Sequence, residues 1–105
     1  MINAKVDRVV DGDTFDVTAK FRVRMDFIDA PEKTGVEKPK GVVSFQHLKE
    51  RIEGLTVKLD VKKFDTYDRA LCVVYIDGEN INAEMVKSDL AEIYSPRNHN
   101  NAQQD

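Results

Sequence analysis

A chain of 105 residues, 41% of them hydrophobic, can bury one modest core. Its net charge of −3 excludes retention of nucleic acid by bulk positive charge alone, so a polyanionic partner would need a cation and a few placed arginines. The lone cysteine, Cys72, excludes an internal disulfide framework, and its apolar surroundings predict a buried, inert thiol.

Residues 5–10 end in Val9-Val10 and read as a first strand, and 15–18 alternate as a second. Between them stands Asp11-Gly12-Asp13-Thr14, which has two readings. Asp-Gly between alternating runs is a tight hairpin signal. Two carboxylates flanking a glycine at a corner also offer a hard cation a place where their mutual repulsion is relieved. No apolar run reaches membrane-spanning length, and the start MINAKVDR lacks a signal-peptide core. No membrane partner is expected, and a cytoplasmic location is the default, although a mature secreted form would read the same.

A third strand is predicted over 21–28, forming a hairpin with the second. It runs into Arg24-Met-Asp-Phe-Ile-Asp29-Ala-Pro31-Glu32, the densest stretch of chemistry in the chain. Val23, Met25 and Phe27 would face the core, and Ala30-Pro31 ends the strand on a rigid corner that carries Asp29 and Glu32. Such a corner suits a cation or a phosphate; a plain surface ion pair of Arg24 with Asp29 is the alternative. Simple alternation places Arg24 and Asp29 on opposite faces. A twist or bulge near Ile28 is required to bring both into one site.

Residues 33–41 hold two glycines, Pro39 and three lysines, and read as an exposed flexible loop or a basic flap over an anionic ligand. Phe45, Leu48 and Ile52 recur at helical spacing and predict a helix over 42–53 with Gly54 as its stop. His47 falls off that stripe and is expected at the surface. A fourth strand follows over 55–64, then the charged turn 62–69, then a buried fifth strand over 70–76. Arg69 at the strand mouth pairs with Asp65 or Asp68, or offers its fork to a phosphate. Asn82 is a plausible N-cap for a short helix carrying Met85 and Val86. The polar ending, 95–105, is expected to be disordered.

Three strands, a helix, two strands and a short helix predict an α+β, mainly β fold. The expected architecture is a five-stranded OB-fold Greek-key barrel with a helix between strands three and four and a short helix after strand five. One domain is expected over 1–94, followed by the tail.

In order and spacing, the chain resembles the staphylococcal nuclease (thermonuclease) family. The resemblance rests on Val9-Val-Asp-Gly-Asp-Thr14, on Arg24 five residues before Asp29-Ala-Pro-Glu32, and on Tyr67-Asp-Arg69-Ala-Leu71. Val74-Tyr75 and Asn82-Ala-Glu-Met-Val86 complete it. It implies an OB barrel with helices and Ca²⁺-dependent hydrolysis of single- or double-stranded DNA and RNA, leaving 3′-phosphate ends. By resemblance, Asp13 and Asp29 bind Ca²⁺ directly with the Ala30 backbone carbonyl, and Asp11 and Glu32 act through water. Arg24 and Arg69 grip the scissile phosphate, while Glu32 orients or deprotonates the attacking water. Tyr67 would hydrogen-bond a phosphate and Tyr94 would stack on a base. A monomer is expected.

The sequence also departs from that family. Asp68 stands where glycine is usual, beside Arg69, where it would pair with the guanidinium and weaken phosphate binding. Thr66 replaces a phosphate-contacting lysine of the well-known member, the hairpin and the loop after Glu32 are short, and the long C-terminal helix of secreted members is missing. These departures imply weaker substrate binding and marginal stability. They keep open a non-catalytic nucleic-acid-binding module on the same fold and, more remotely, a structural or inhibitory protein.

Overall fold

The computed structural model describes residues 1–94. The expected disordered tail, 95–105, lies outside the described residues. Strand β1 (Ile2–Asp11) buries Ala4, Val6 and Val9. The last two are three residues apart, so strict alternation fails, and the register against the next strand shifts between Val6 and Arg8. This bulge returns Val9 to the core side and bends the strand. A tight turn at Gly12-Asp13 leads into β2 (Thr14–Val17), which pairs with β3 (Arg22–Met25).

The third strand is shorter than its apolar run predicts. It stops at Met25, the chain turns at Asp26-Phe27, and β4 (Ile28–Asp29) leaves in a new direction. Phe27 takes the left-handed conformation (φ 67°), and its N–H donates to Asp26 Oδ1 at 3.0 Å. Val23 and Met25 are fully buried as expected, but Phe27 is half exposed.

The segment expected as a loop is helical from Lys38. A short 3₁₀ turn at Gly35–Glu37 enters α1 (Lys38–Ile52), with Pro39 in the first turn, where a missing N–H costs nothing. The buried face is Gly41, Ser44, Leu48 and Ile52, and Phe45 packs at its flank. Gly54, at φ 82°, ends the helix as predicted.

Strands β5 (Thr56–Phe64) and β6 (Ala70–Ile76) form the second hairpin. A two-residue strand β7 (Glu79–Asn80) precedes α2 (Ile81–Lys87), and β8 (Glu92–Ile93) pairs with β4. The cap of α2 is Asn80, not Asn82: its side chain accepts from the Ala83 N–H. Asn82 is buried inside the fold instead.

The main sheet runs β3-β2-β1-β5-β6 and closes through a parallel pairing of β3 with β6. The result is the expected five-stranded OB-type barrel, and closure removes the sheet's free edges. Phe15, Met25, Leu48, Leu59, Ile81 and Met85 lie fully buried inside it or under the helices. Each such side chain contributes about 1.5–3 kcal/mol through burial. Among the described residues, no helix is long and apolar enough to cross a membrane.

Candidate active site

The β1–β2 turn, the β3–β4 corner and the mouth of β6 meet on one side of the barrel. Gly12 sits against α1, and a Cβ there would overlap Ser44 Oγ. The hairpin glycine therefore serves close approach, which brings Asp13 under the β4 segment. Asp13 is buried; its Oδ1 accepts from Thr14 Oγ1 (2.8 Å) and its Oδ2 from the Ala30 N–H (2.7 Å).

Arg24 extends from β3, only 15% exposed at its side chain. Its Nη1 donates to the carbonyls of Met25 and Ile28, both at 2.7 Å, so the guanidinium is anchored by the very corner it helps to form. Its Nη2 lies 3.4 Å from Asp29 Oδ1 and 3.5 Å from Asp13 Oδ2. The Asp26-Phe27 turn thus supplies the reversal that alternation lacked, and Arg24, Asp13 and Asp29 converge.

Asp29 stands at the cleft edge with a side chain 61% exposed. Desolvation raises its carboxyl above the ordinary aspartate range; Arg24 pulls the other way, and Asp13, Glu37 and Glu92 push it further up. Glu92 is its direct cross-strand partner in the β4–β8 pair, an arrangement unfavourable for like charges. Sequence reasoning missed Glu37 and Glu92. The first falls in a segment expected to be a loop, and the second reaches Asp29 only through a pairing 63 residues long in sequence (92 − 29).

Asp11 and Glu32 are held less directly. Asp11 Oδ1 accepts from the Lys33 N–H at 3.3 Å, and the Glu32 N–H donates to Glu37 Oε1 at 3.3 Å. The Glu32 side chain is exposed, and among the described residues its carboxylate accepts no hydrogen bond.

Arg69 stands just before β6, the strand that pairs with β3. Its Nε donates to Asp65 Oδ2 at 2.7 Å and its backbone N–H to Asp65 Oδ1 at 2.9 Å, while the Tyr67 N–H also donates to Oδ1. Burial alone would raise the Asp65 carboxyl, but these hydrogen bonds outweigh it and hold it below the ordinary range. The guanidinium lies 5.4 Å from the centre of the Tyr67 ring. Asp68 does not pair with Arg69 as expected. It takes a left-handed conformation (φ 61°), the physical reason a glycine suits this position, and Asp65 is the partner of Arg69.

A cleft of about 650 Å³ joins these parts, with Arg24, Asp29, Tyr67, Arg69 and Tyr94 on its walls. Asp11, Asp13 and Glu32 do not line it. Behind the corner, Asn82 ties the site to the barrel: its Oδ1 accepts from the Val74 N–H (3.0 Å), and its Nδ2 donates to the Asp26 (2.8 Å) and Cys72 (3.1 Å) carbonyls. Among the described residues, no three His, Cys, Asp or Glu side chains are gathered as a preformed cation site. The donor chemistry nonetheless fits a hard cation: carboxylate and carbonyl oxygens at one corner, with an excess of negative charge around Asp29.

Residues 22–105 match the family model described as staphylococcal nuclease homologue. The chain belongs to the staphylococcal nuclease family. An uncharacterized endonuclease of Haemophilus influenzae is 37% identical over 99 residues, 90% of this chain and 54% of that protein. An uncharacterized endonuclease of Escherichia coli O157:H7 is 38% identical over 101 residues, 92% of this chain and 64% of its own length. Endonuclease YncB of Bacillus subtilis is 30% identical over 102 residues, 89% and 48% of the two chains. This family member therefore spans less than two thirds of each of these relatives. Within the family frame, the Asp13–Arg24–Asp29 convergence is the part of the site that the fold builds most firmly.

Proposed function

We propose that this chain is a nuclease that hydrolyses DNA and RNA with Ca²⁺ and leaves 3′-phosphate ends. The observation that carries the reading is the Arg24 guanidinium held between Asp13 and Asp29 on a cleft that Arg69 also lines. Asp13, Asp29 and the Ala30 carbonyl would hold the cation, with Asp11 and Glu32 reaching it through water. Bound there, Ca²⁺ would supply electrostatic stabilisation of negative charge on the phosphorane oxygens.

The chain's own groups supply the remainder. Arg24 keeps Nη1 on the corner carbonyls, so a phosphate oxygen would compete only with the long contacts of Nη2, 3.4 Å to Asp29 and 3.5 Å to Asp13. Asp65 orients the Arg69 fork from its Nε side, leaving the outer nitrogens for a second phosphate oxygen. Glu32 would take a proton from the attacking water as its oxygen bonds to phosphorus and the P–O5′ bond breaks, the departing 5′-oxygen taking a proton from solvent; a placed base contributes about 10²–10⁴-fold. Tyr67 would hydrogen-bond the phosphate and Tyr94 would stack on a base.

One observation favours a second reading, a non-catalytic nucleic-acid-binding module: Glu32 is exposed and stands outside the cleft. Cleavage of single-stranded DNA by wild type and Glu32→Gln, each with Ca²⁺ and with EDTA, separates the two. Cleavage by wild type with Ca²⁺ alone, reduced by at least about 10²-fold in the variant, is expected. No cleavage by folded wild type with Ca²⁺, together with retained binding of the same strand, would establish the binding module, and an equal rate in the variant would remove Glu32 from the mechanism.

A further inference from the structure

The chain has eight aromatic residues, five Phe and three Tyr, and four of them line the cleft that holds Arg24 and Arg69: Phe27, Phe64, Tyr67 and Tyr94. The resemblance and the chemistry above account for the tyrosines. They leave Phe27 and Phe64, which are 51% and 62% exposed and stand outside the core cluster. A single exposed apolar side chain needs no explanation, but two rings on the wall of one cleft do.

Phe27 is costly twice over. The residue is half exposed, and its backbone is left-handed (φ 67°), a conformation that bulky residues avoid. The corner over-determines it: Asp26 Oδ1 accepts its N–H, and its carbonyl accepts the Tyr94 N–H at 2.7 Å. Strain held this firmly at a cleft, with the ring outward, points from geometry to use. Phe64 lines the same cleft from the end of β5, where its neighbour Lys63 also lines it.

We infer that Phe27 and Phe64 form a nucleobase-stacking subsite beside the two guanidinium groups. Two exposed rings that share a cleft with Arg24, Lys63 and Arg69 match a strand whose bases are apolar plates and whose backbone is anionic. The rings need a base face, which a paired and stacked duplex withholds. The subsite therefore takes unpaired nucleotides, and the sugar does not enter into it. This inference rests on the nucleic-acid reading of the cleft, though not on cleavage.

The test measures binding in EDTA, so that no strand is cut. Fluorescence anisotropy is read for oligothymidylate, oligouridylate and an abasic deoxyribose-phosphate strand of equal length, with wild type, Phe27→Gly and Phe64→Ala. Glycine at 27 removes the ring and suits the left-handed backbone. Wild type is expected to bind both pyrimidine strands about tenfold more tightly than the abasic one, and each variant to lose about tenfold on them while binding the abasic strand unchanged. Phe64→Tyr, which keeps a ring, is expected to bind as wild type does. Equal binding of base-bearing and abasic strands by wild type, or an equal loss on both in the variants, would overturn the subsite. Normal binding with no cleavage when Ca²⁺ is added would overturn the nuclease reading and leave the subsite standing.

Discussion

At the scale of single residues, conformation rather than charge explains the most conspicuous departure from the family pattern. Asp68 sits beside Arg69 in sequence, yet its role is to occupy a left-handed turn position between Asp65 and Arg69. Aspartate tolerates that region better than most side chains, but a residue with a Cβ still costs about 1–2 kcal/mol there. Glycine removes this strain and adds freedom to the unfolded chain, so the net gain is about 1 kcal/mol. Asp68→Gly is therefore expected to raise the Tm by about 4–8 °C, measured by calorimetry. Because Asp65 fixes Arg69, the same substitution is expected to leave the Arg69–Asp65 pair in place. A lower Tm would show that the Asp68 side chain stabilises the turn by a contact of its own.

At the scale of elements, glycine and proline set what could be read in advance. The residues 33–41 contain both, and they read as a loop. The structure uses Pro39 in a first helical turn and Gly41 on the buried helical face, where a Cβ would overlap the Glu32 carbonyl. The use of Gly41 leaves no local signal, since the contact that requires it comes from a residue nine positions away. Ala30, Asp13 and Arg24 were legible because their motifs are short and contiguous; their convergence was not, since alternation fails at the Asp26-Phe27 turn. Asn82 was misread as a cap for a similar reason: its three hydrogen bonds go to Asp26, Cys72 and Val74, and none lies within its own helix. The apolar run of β6 is legible to the residue, because a stretch with no exposed position leaves little else for it to be.

Gly41→Ala tests that reading of α1. Alanine favours an isolated helix by about 1 kcal/mol, so propensity alone predicts a gain. Here the added methyl meets backbone, which cannot rotate away, and overpacking of this kind costs about 1–3 kcal/mol. The expected outcome is a net loss of stability in urea unfolding, together with reduced cleavage as the Glu32 segment is displaced. Unchanged stability would mean that the loop yields without cost.

On the scale of the whole molecule, acid stability follows from carboxylates that folding holds below their ordinary range. The Arg22 hydrogen bond does this for Asp16, the Lys49 hydrogen bond and the Val9 N–H for Glu53, and the Arg69 and Tyr67 donors for Asp65. Each folded pKa lies below its unfolded value, so the stabilisation is complete above the unfolded values of 3.8 and 4.5 and is lost as pH falls through the folded ones. Unfolding free energy is expected to be insensitive to these groups near neutral pH and to drop below about pH 4. Asp16→Asn should flatten the acid limb, with a difference from wild type that is largest at neutral pH and vanishes in acid. A difference that persists in acid would assign the effect to packing.

Closure of the barrel can be read through its one thiol. Cys72 is fully buried on β6, paired with Val61 of β5 on one side and Met25 of β3 on the other. Burial, with Asp26 and Asp60 adding to it, pushes its pKa up to about 11. At pH 8 only about one thiol in a thousand is ionised, and that one is sealed from reagent. Labelling by a disulfide reagent must then await an opening that separates β6 from a neighbour. If the barrel opens only as a unit, the opening free energy from labelling rates equals the global unfolding free energy from denaturant. That equality is expected, because β3 and β6 close the sheet and neither has a free edge to fray. Labelling much faster than global unfolding would place a local opening at the β3–β6 seam. Arg24 pairs with Leu71 across that seam, so the same opening would carry the guanidinium away from Asp13 and Asp29.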